Sequence, residues 1–220
     1  MKASYFTEHG GPEVLTYGAL PDPVAGPGEV LIDVHAASVN AADCKVRSGA
    51  SGAKTDFPYV LGRDFSGVIS ALGENVSGFA IGDSVFGVCG VGQEGAYAEK
   101  IVMDASIIAP KPAHLSHVEA AAIAATGLTA LISIEDTLHL KAGETILIQG
   151  GAGGVAGLAI QLAKHHGAHV ITTASPANHA YLRGLGVDQI IDYGTQDFTK
   201  IIADIDAVFD TVGGDVALRS

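Results

Sequence analysis

The chain has no tryptophan, two cysteines, two methionines and only 6% aromatic residues among its 220. Two cysteines, Cys44 and Cys89, are too few for a disulfide framework or a cysteine-rich zinc module. Basic residues are also scarce: 12 Lys and Arg stand against 24 Asp and Glu, a formal net charge of −12. That balance argues against nucleic-acid and membrane partners, since both anionic surfaces draw basic patches. No uninterrupted apolar run reaches the ~18 residues of a spanning helix, and the opening MKASYFTEHGGPEV carries no signal-peptide pattern. The expectation is a soluble cytoplasmic protein.

What is present suits a packed α/β chain. Apolar residues make up 48% and charged ones 16%, enough to bury a sizeable core. The first half reads as β-rich: a long strand over Glu29–Val39 with Val30, Ile32 and Val34 on one face, then shorter ones at Gly67–Ala71, Asp83–Val88, Ala96–Val102 and Ile107–Ala109. The texture changes at Ser116. Ser116 and Glu119 have capping-box spacing, and the Ala-rich stretch to Ile134 reads as helix. Strand and helix then alternate: Thr145–Gln149, Val155–His166, His169–Ala174, Gln189–Tyr193, a helix over Asp197–Ala203, and Ala207–Val212. Such alternation implies a parallel sheet flanked by helices. The division falls near residue 122, giving domains 1–122 and 123–220.

The strongest chemical signal is the segment Ile146-Leu-Ile-Gln-Gly-Gly-Ala-Gly-Gly-Val-Ala-Gly157. Gly151-x-Gly153-x-x-Ala156 fits the dinucleotide fingerprint between a strand and a helix. Gly151 is assigned the tight turn, Gly153 the close approach to a pyrophosphate, and Ala156 the helix–strand contact. Gly151, Ala152, Gly153, Gly154 and Val155 thus form the candidate phosphate cradle at a helix N-terminus. Sites for NAD usually place Asp or Glu at the end of the next strand, ~20 residues on. Here Thr172-Thr-Ala-Ser175 stands in that place. A carboxylate ~4 Å from a 2′-phosphate would cost roughly 1–4 kcal/mol, whereas Ser175 can donate a hydrogen bond. NADPH is the expected cofactor.

With these pieces placed, the chain resembles the zinc-independent quinone oxidoreductase, or zeta-crystallin-like, branch of the medium-chain dehydrogenase/reductase superfamily. The resemblance runs through Ala36-Ala-Ser-Val-Asn-Ala-Ala-Asp43, Leu61-Gly-Arg-Asp-Phe-Ser-Gly-Val68, Gly82-Asp-Ser-Val85, Gly95-Ala-Tyr-Ala-Glu99, Thr126-Gly-Leu-Thr-Ala130, the glycine turn and Phe209-Asp-Thr-Val-Gly-Gly214. It implies a GroES-like N-terminal substrate domain, a Rossmann domain with a doubly wound parallel sheet, and a cleft between them as the active site.

The resemblance also assigns roles. Where zinc-dependent relatives hold catalytic metal, this chain has Asn40, Arg63 and Ala122, which cannot build the shell of thiolates and imidazoles that zinc requires. No metal is expected. Without a Lewis acid, the accessible reaction is hydride transfer to an acceptor activated by conjugation, a quinone or an α,β-unsaturated carbonyl. Asn40, Arg63 and Thr126 are the implied catalytic residues. Asn40 either reaches the nicotinamide or substrate carbonyl or serves as a turn amide. Arg63 either stabilises developing negative charge or pairs with Asp43 or Asp64. Thr126 contacts the nicotinamide end of the cofactor, and Tyr59 lines the pocket or simply packs.

The cofactor's 2′-phosphate would meet Ser175 and Tyr193, while Asn178 occupies the position where many relatives carry a lysine. An enoyl-thioester reductase of the same fold and a non-catalytic, crystallin-like nucleotide binder are the alternatives. The resemblance further implies a homodimer in the full-length form. Six strands are expected of a Rossmann sheet, yet only four are legible before Ser220. The expectation is therefore a C-terminally incomplete domain with Ala207, Val208 and Phe209 on a bare edge.

Overall fold

The structure is a computed structural model and describes residues 1–52, 54–90 and 92–220. Packing divides it into two compact units, Met1–Ala125 and Thr126–Ser220.

The first unit is built on two antiparallel sheets. Strands β1 (Lys2–Phe6), β2 (Thr16–Ala19), β3 (Glu29–Ala37), β4 (Tyr59–Val60), β5 (Asp64–Leu72), β6 (Ser84–Val88), β7 (Lys100–Asp104) and β8 (Ile108–Pro110) arrange as β7-β3-β5-β6-β8 and β2-β1-β4. The alternation legible in β3 is real: Val30 and Ile32 are buried with Phe65, Ile69, Val85 and Met103, and Val34 packs against them. Register shifts between Leu31 and Ile32 and between Val34 and Ala36 bend β3 against β5, as bulges do.

One expected strand moves. The sequence places it over Ala96–Val102, but the ladder with β3 occupies Lys100–Asp104. The earlier part of that span pairs elsewhere. Tyr97 donates its N–H to Leu61, its carbonyl accepts from Ser4, and Ala98 bridges Ala3. Helix α1 (Ala41–Arg47) has no counterpart among the expected elements.

Helix α2 (His117–Leu131) starts at the predicted box: the Glu119 carboxylate accepts the Ser116 N–H at 2.8 Å, and the Ser116 hydroxyl accepts the Glu119 N–H at 3.2 Å. A π-turn carries it to Thr137, and these 21 residues, at mean hydropathy 1.5, are long and apolar enough to cross a membrane by length and composition alone.

The second unit carries a parallel sheet of β9 (Thr145–Gln149), β10 (His169–Ala174), β11 (Gln189–Asp192) and β12 (Ala207–Asp210) in the order β11-β10-β9-β12. Successive residues of β9 point to opposite faces. Ile146 and Ile148 pack with Ala156, Ala159, Ile160 and Ala163 of α3 (Gly154–His165) and with Leu182 of α4 (His179–Gly184). Leu147 packs on the other face with Ile171, Ile191 and Phe198. Gly167, at φ +80°, ends the helix as expected.

The predicted helix over Asp197–Ala203 is a single 3₁₀ turn, Phe198–Lys200. Asp197 caps it through the Thr199 N–H and hydroxyl at 3.3 and 2.9 Å. Thr199, Ile201 and Ile202 are β-branched, which disfavours propagation. Strand β12 is the edge of the sheet, as expected, but Ala207, Val208 and Phe209 are half-buried rather than exposed, and α5 (Asp215–Arg219) follows it.

Candidate active-site elements

In the second unit the chain leaves β9 through the glycine turn, and each glycine there meets a different constraint. Gly150, not Gly151, carries the left-handed backbone, at φ +71°. The tight-turn role expected of Gly151 therefore belongs to its predecessor. Gly151 is required for another reason: a Cβ there would overlap the Thr172 hydroxyl, which itself donates to the Ile148 carbonyl. Thr173 ties down the same turn, its hydroxyl accepting the Gly150 N–H at 3.1 Å and donating to the buried Gln149 amide oxygen at 2.6 Å.

Gly153 is the N-cap of α3 in extended backbone, and only the Gly150 carbonyl oxygen, 3.3 Å away, stands near the place of its missing Cβ. A Cβ on Gly154 would stand 3.4 Å from the Thr126 methyl, which brings Thr126 to the cradle. Ala156 is fully buried against β9, as close helix–strand contact requires. Gly157 is a further close approach: a Cβ there would stand 2.9 Å from the Tyr181 hydroxyl.

At the end of β10, Ser175 accepts a hydrogen bond from the Asn178 amide at 3.2 Å, so these two candidates share one local turn. Tyr193 is 65% exposed and lines a cleft of about 690 Å³ with Gln149, Gly150, Thr173 and Val212. The cleft opens at the carboxyl ends of the parallel strands, where ligands of doubly wound sheets sit.

In the first unit, Asn40 precedes α1 and its N–H is held by the Asp43 carboxylate at 2.8 Å. The Asn40 side-chain amide donates at 3.2 Å to both Ser38 Oγ and Asp64 Oδ1. Arg63 pairs with neither carboxylate expected for it. Asp43 is taken by the Asn40 N–H and the Tyr97 hydroxyl at 2.8 Å, and Asp64 by Ser38, Asn40 and the Ala125 N–H. The guanidinium instead binds the buried Glu94 carboxylate at 2.9 Å, which also receives the Tyr59 hydroxyl. Among the described residues its buried Nε has no hydrogen-bond partner. Burial, followed by the Glu94 contact, raises the Tyr59 pKa, and its ring packs 5.7 Å from Phe6. Tyr59 is a packing residue held by a hydrogen bond.

Residues 26–113 match the alcohol dehydrogenase GroES-like domain, and residues 154–220 match the zinc-binding dehydrogenase domain. The quinone oxidoreductase of Coxiella burnetii is 44% identical and superposes with a TM-score of 0.93, over 100% of this chain and 71% of that one. The chain belongs to the quinone oxidoreductase branch of the medium-chain dehydrogenase/reductase superfamily. Among curated relatives, the mitochondrial NAD(P)H oxidoreductase RTN4IP1 of Danio rerio is 34% identical over 98% of this chain and 62% of its own length. The 2-methylene-furan-3-one reductase of Solanum lycopersicum is 37% identical over 100% and 59%. The chain thus spans about six-tenths of the length of these relatives.

For a member of a superfamily that includes zinc-binding dehydrogenases, the chemistry of the donor set bears on whether a metal fits. Asn40 turns its amide nitrogen to Asp64, Arg63 is a cation already paired with Glu94, and the Ala122 methyl offers no ligand atom. These residues do not fit zinc. Among the described residues no group of three or more His, Cys, Asp or Glu side chains is placed to hold a metal ion. Reading the sequence offered Asp64 only as a partner for Arg63 and gave Ser38, Thr172 and Thr173 no contact of their own. Both threonines lie in a segment singled out for another reason, as the place where a carboxylate is missing.

Proposed function

We propose that this quinone oxidoreductase-like protein transfers hydride from NADPH to a quinone or an α,β-unsaturated carbonyl, without zinc. The observation that carries the reading is the cradle in front of α3. A 12-residue helix presents its N-terminus beneath a glycine whose only close neighbour is a backbone oxygen. Gly151, Ala152, Gly153, Gly154 and Val155 would hold the pyrophosphate by backbone N–H groups and the helix dipole. Thr126 would take the nicotinamide side, and Ser175, Asn178 and Tyr193 the 2′-phosphate. NADPH, when bound, supplies the hydride.

The rest falls to the chain. The misfit of Asn40, Arg63 and Ala122 to zinc supports the metal-free reading, because such a site cannot lower an alcohol pKa. An acceptor that spreads charge over a conjugated system needs only positioning and hydrogen bonds. The 2-methylene-furan-3-one of the tomato relative is such an acceptor. Domain 1–122 is assigned the substrate and domain 123–220 the cofactor.

Steady-state assay with NADPH and NADH against a panel of quinones, enones and enoyl thioesters tests the reading. Turnover confined to enoyl thioesters would make it an acyl reductase, and cofactor binding without turnover would make it a binder. The homodimer and the cytoplasmic location belong to the same proposal. Light scattering tests the first and cell fractionation the second, with a mitochondrial result favouring the placement of RTN4IP1.

A further inference from the structure

Two hydroxyls, one from each side of β9, hold the point where that strand enters the glycine turn. Thr173, buried in β10, accepts the Gly150 N–H on Oγ1 at 3.1 Å and gives its hydroxyl proton to Gln149 Oε1 at 2.6 Å. Its carbonyl accepts the next N–H, that of Gly151, at 3.1 Å. On the other side, the hydroxyl of Thr211, just past β12, donates to the Gln149 carbonyl at 2.8 Å. Gln149 is the one buried polar residue of β9, and its amide nitrogen donates to Ser220 Oγ at 2.9 Å. A hydroxyl has one proton. With that proton given to Gln149, Thr173 Oγ1 faces Gly150 as an acceptor. Gly150 is the residue in left-handed backbone, at φ +71°, so the contact falls where the chain turns from strand toward helix.

We infer that Thr173 is a positioning residue of the cofactor site: its hydroxyl holds the glycine turn in its binding shape before a dinucleotide arrives, and Gln149 sets which way that hydroxyl faces. Thr173 acts through Gly150 rather than on the ligand. Glycine loses the most backbone freedom when it is fixed, and a turn ordered beforehand removes that cost from binding. The inference rests on the proposed function, with the turn as the pyrophosphate cradle, and narrows it: the Gly151 N–H serves the shape of the turn rather than the phosphates.

Three substitutions at one position separate hydroxyl from volume. Thr173→Val keeps the shape and removes the hydroxyl, and Thr173→Ser keeps the hydroxyl and removes a methyl. Thr173→Ala removes both and replaces Thr173→Val in the comparison if that variant does not fold. Calorimetric titration should give Thr173→Val and Thr173→Ala dissociation constants about tenfold above the parent's, the worth of one hydrogen bond. The factor should be the same for NADPH and NADH, because both carry the pyrophosphate. Thr173→Ser should bind both like the parent, although losing a buried methyl lowers its melting temperature. Affinity that follows volume, with Thr173→Val like the parent and Thr173→Ser weak, overturns the inference and leaves Thr173 a packing residue. A loss confined to NADPH overturns it too, because the hydroxyl would then act at the 2′-phosphate.

A second measurement needs no ligand. In the ligand-free parent the Gly150 N–H should be protected from solvent exchange, and that protection should fall in Thr173→Val but not in Thr173→Ser. A Gly150 N–H exchanging like a free amide in the parent would overturn the hold. A parent that binds neither dinucleotide would sink the proposed function, while the exchange rates would still decide whether Thr173 holds the turn.

Discussion

A Cβ at Gly151 would overlap the side-chain hydroxyl of Thr172, one strand away. Glycine is therefore fixed at this position by the sheet beneath the turn, whatever ligand lies above it. Gly151→Ala should lower stability by about 1–3 kcal/mol, the usual cost of overpacking a close-packed site. Thr172→Ala in the same chain should recover most of it. Chemical denaturation of the two variants measures this, and a Gly151→Ala variant as stable as the parent would show that the turn relaxes freely.

Gly153 makes the opposite case. Its one close neighbour is the Gly150 carbonyl oxygen, 3.3 Å from the missing Cβ, and its φ of −73° suits any residue. Gly153→Val should still fold, with a melting temperature a few degrees below the parent's because its Cβ crowds the Gly150 carbonyl and valine is a poor N-cap, and lose NADPH binding, because its methyls occupy the pyrophosphate's space. Calorimetric titration decides, and retained affinity in a folded variant would place the phosphates elsewhere.

The contrast between these glycines shows what is legible in the sequence. The motif, the strand before it and the helix after it are local, and the hydrophobic periods of 2 and 3.6 reveal them. Which glycine carries the left-handed turn is not legible, because that depends on Thr172 and Thr173 on the neighbouring strand, distant in the chain. The same holds in the first unit. Asn40 stands out by its place in a motif, but Asp64, 24 residues on, reveals itself only when β5 is laid beside β3. Arg63 has Asp64 next to it in sequence and takes Glu94, 31 residues on, instead. Asp64 is held by Ser38, Asn40 and the Ala125 N–H, while among the described residues the buried Asp43 Oδ1 has no partner. The choice of Glu94 over Asp43 therefore has no explanation in hydrogen bonding. The helix expected over Asp197–Ala203 fails for a local reason. Its apolar spacing is helix-like, but β-branched residues and a capping Asp–Thr pair outweigh that spacing.

Metal content is a further outcome. The protein should purify with less than about a tenth of an equivalent of zinc per chain and keep its activity in the presence of a chelator, since Asn40, Arg63 and Ala122 offer no zinc shell. Elemental analysis showing one tightly held zinc, with activity lost on chelation, would refute this.

Cofactor preference should shift with Asn178. Its amide donates to Ser175 Oγ at 3.2 Å, so a longer cation at this position starts from the turn that holds the proposed phosphate contact. Asn178→Lys should increase the preference for NADPH over NADH by about ten- to a hundredfold, the worth of one charge-assisted contact. Titration with both cofactors measures the ratio. An unchanged ratio would mean that the Ser175–Asn178 turn faces away from the 2′-phosphate.

The last outcome concerns acid. His117, at the start of α2, has its ring 4.5 Å from that of His35, and its Nδ1 lies 2.8 Å from Ser66 Oγ. Ser66 gives its one hydroxyl proton to the Val85 carbonyl at 2.9 Å, so Nδ1 is the donor and an added proton goes to Nε2. Burial, then the charges of His35 and Lys111, hold the His117 pKa below the ordinary histidine value of 6.5. The unfolded chain therefore binds the proton first as the pH falls. Stability is fully present above pH ~6.5 and declines below it until the folded-state pKa is passed. Removing the neighbouring charge should weaken that decline, since two cations at this separation repel by on the order of 1 kcal/mol in water. His35→Gln should thus lose less stability than the parent between about pH 7.5 and 5, and the His117 ring signals should titrate at higher pH in it. Urea denaturation at the two pH values and proton NMR of the His117 ring test both, and identical pH dependence in parent and variant would show that the two rings do not interact.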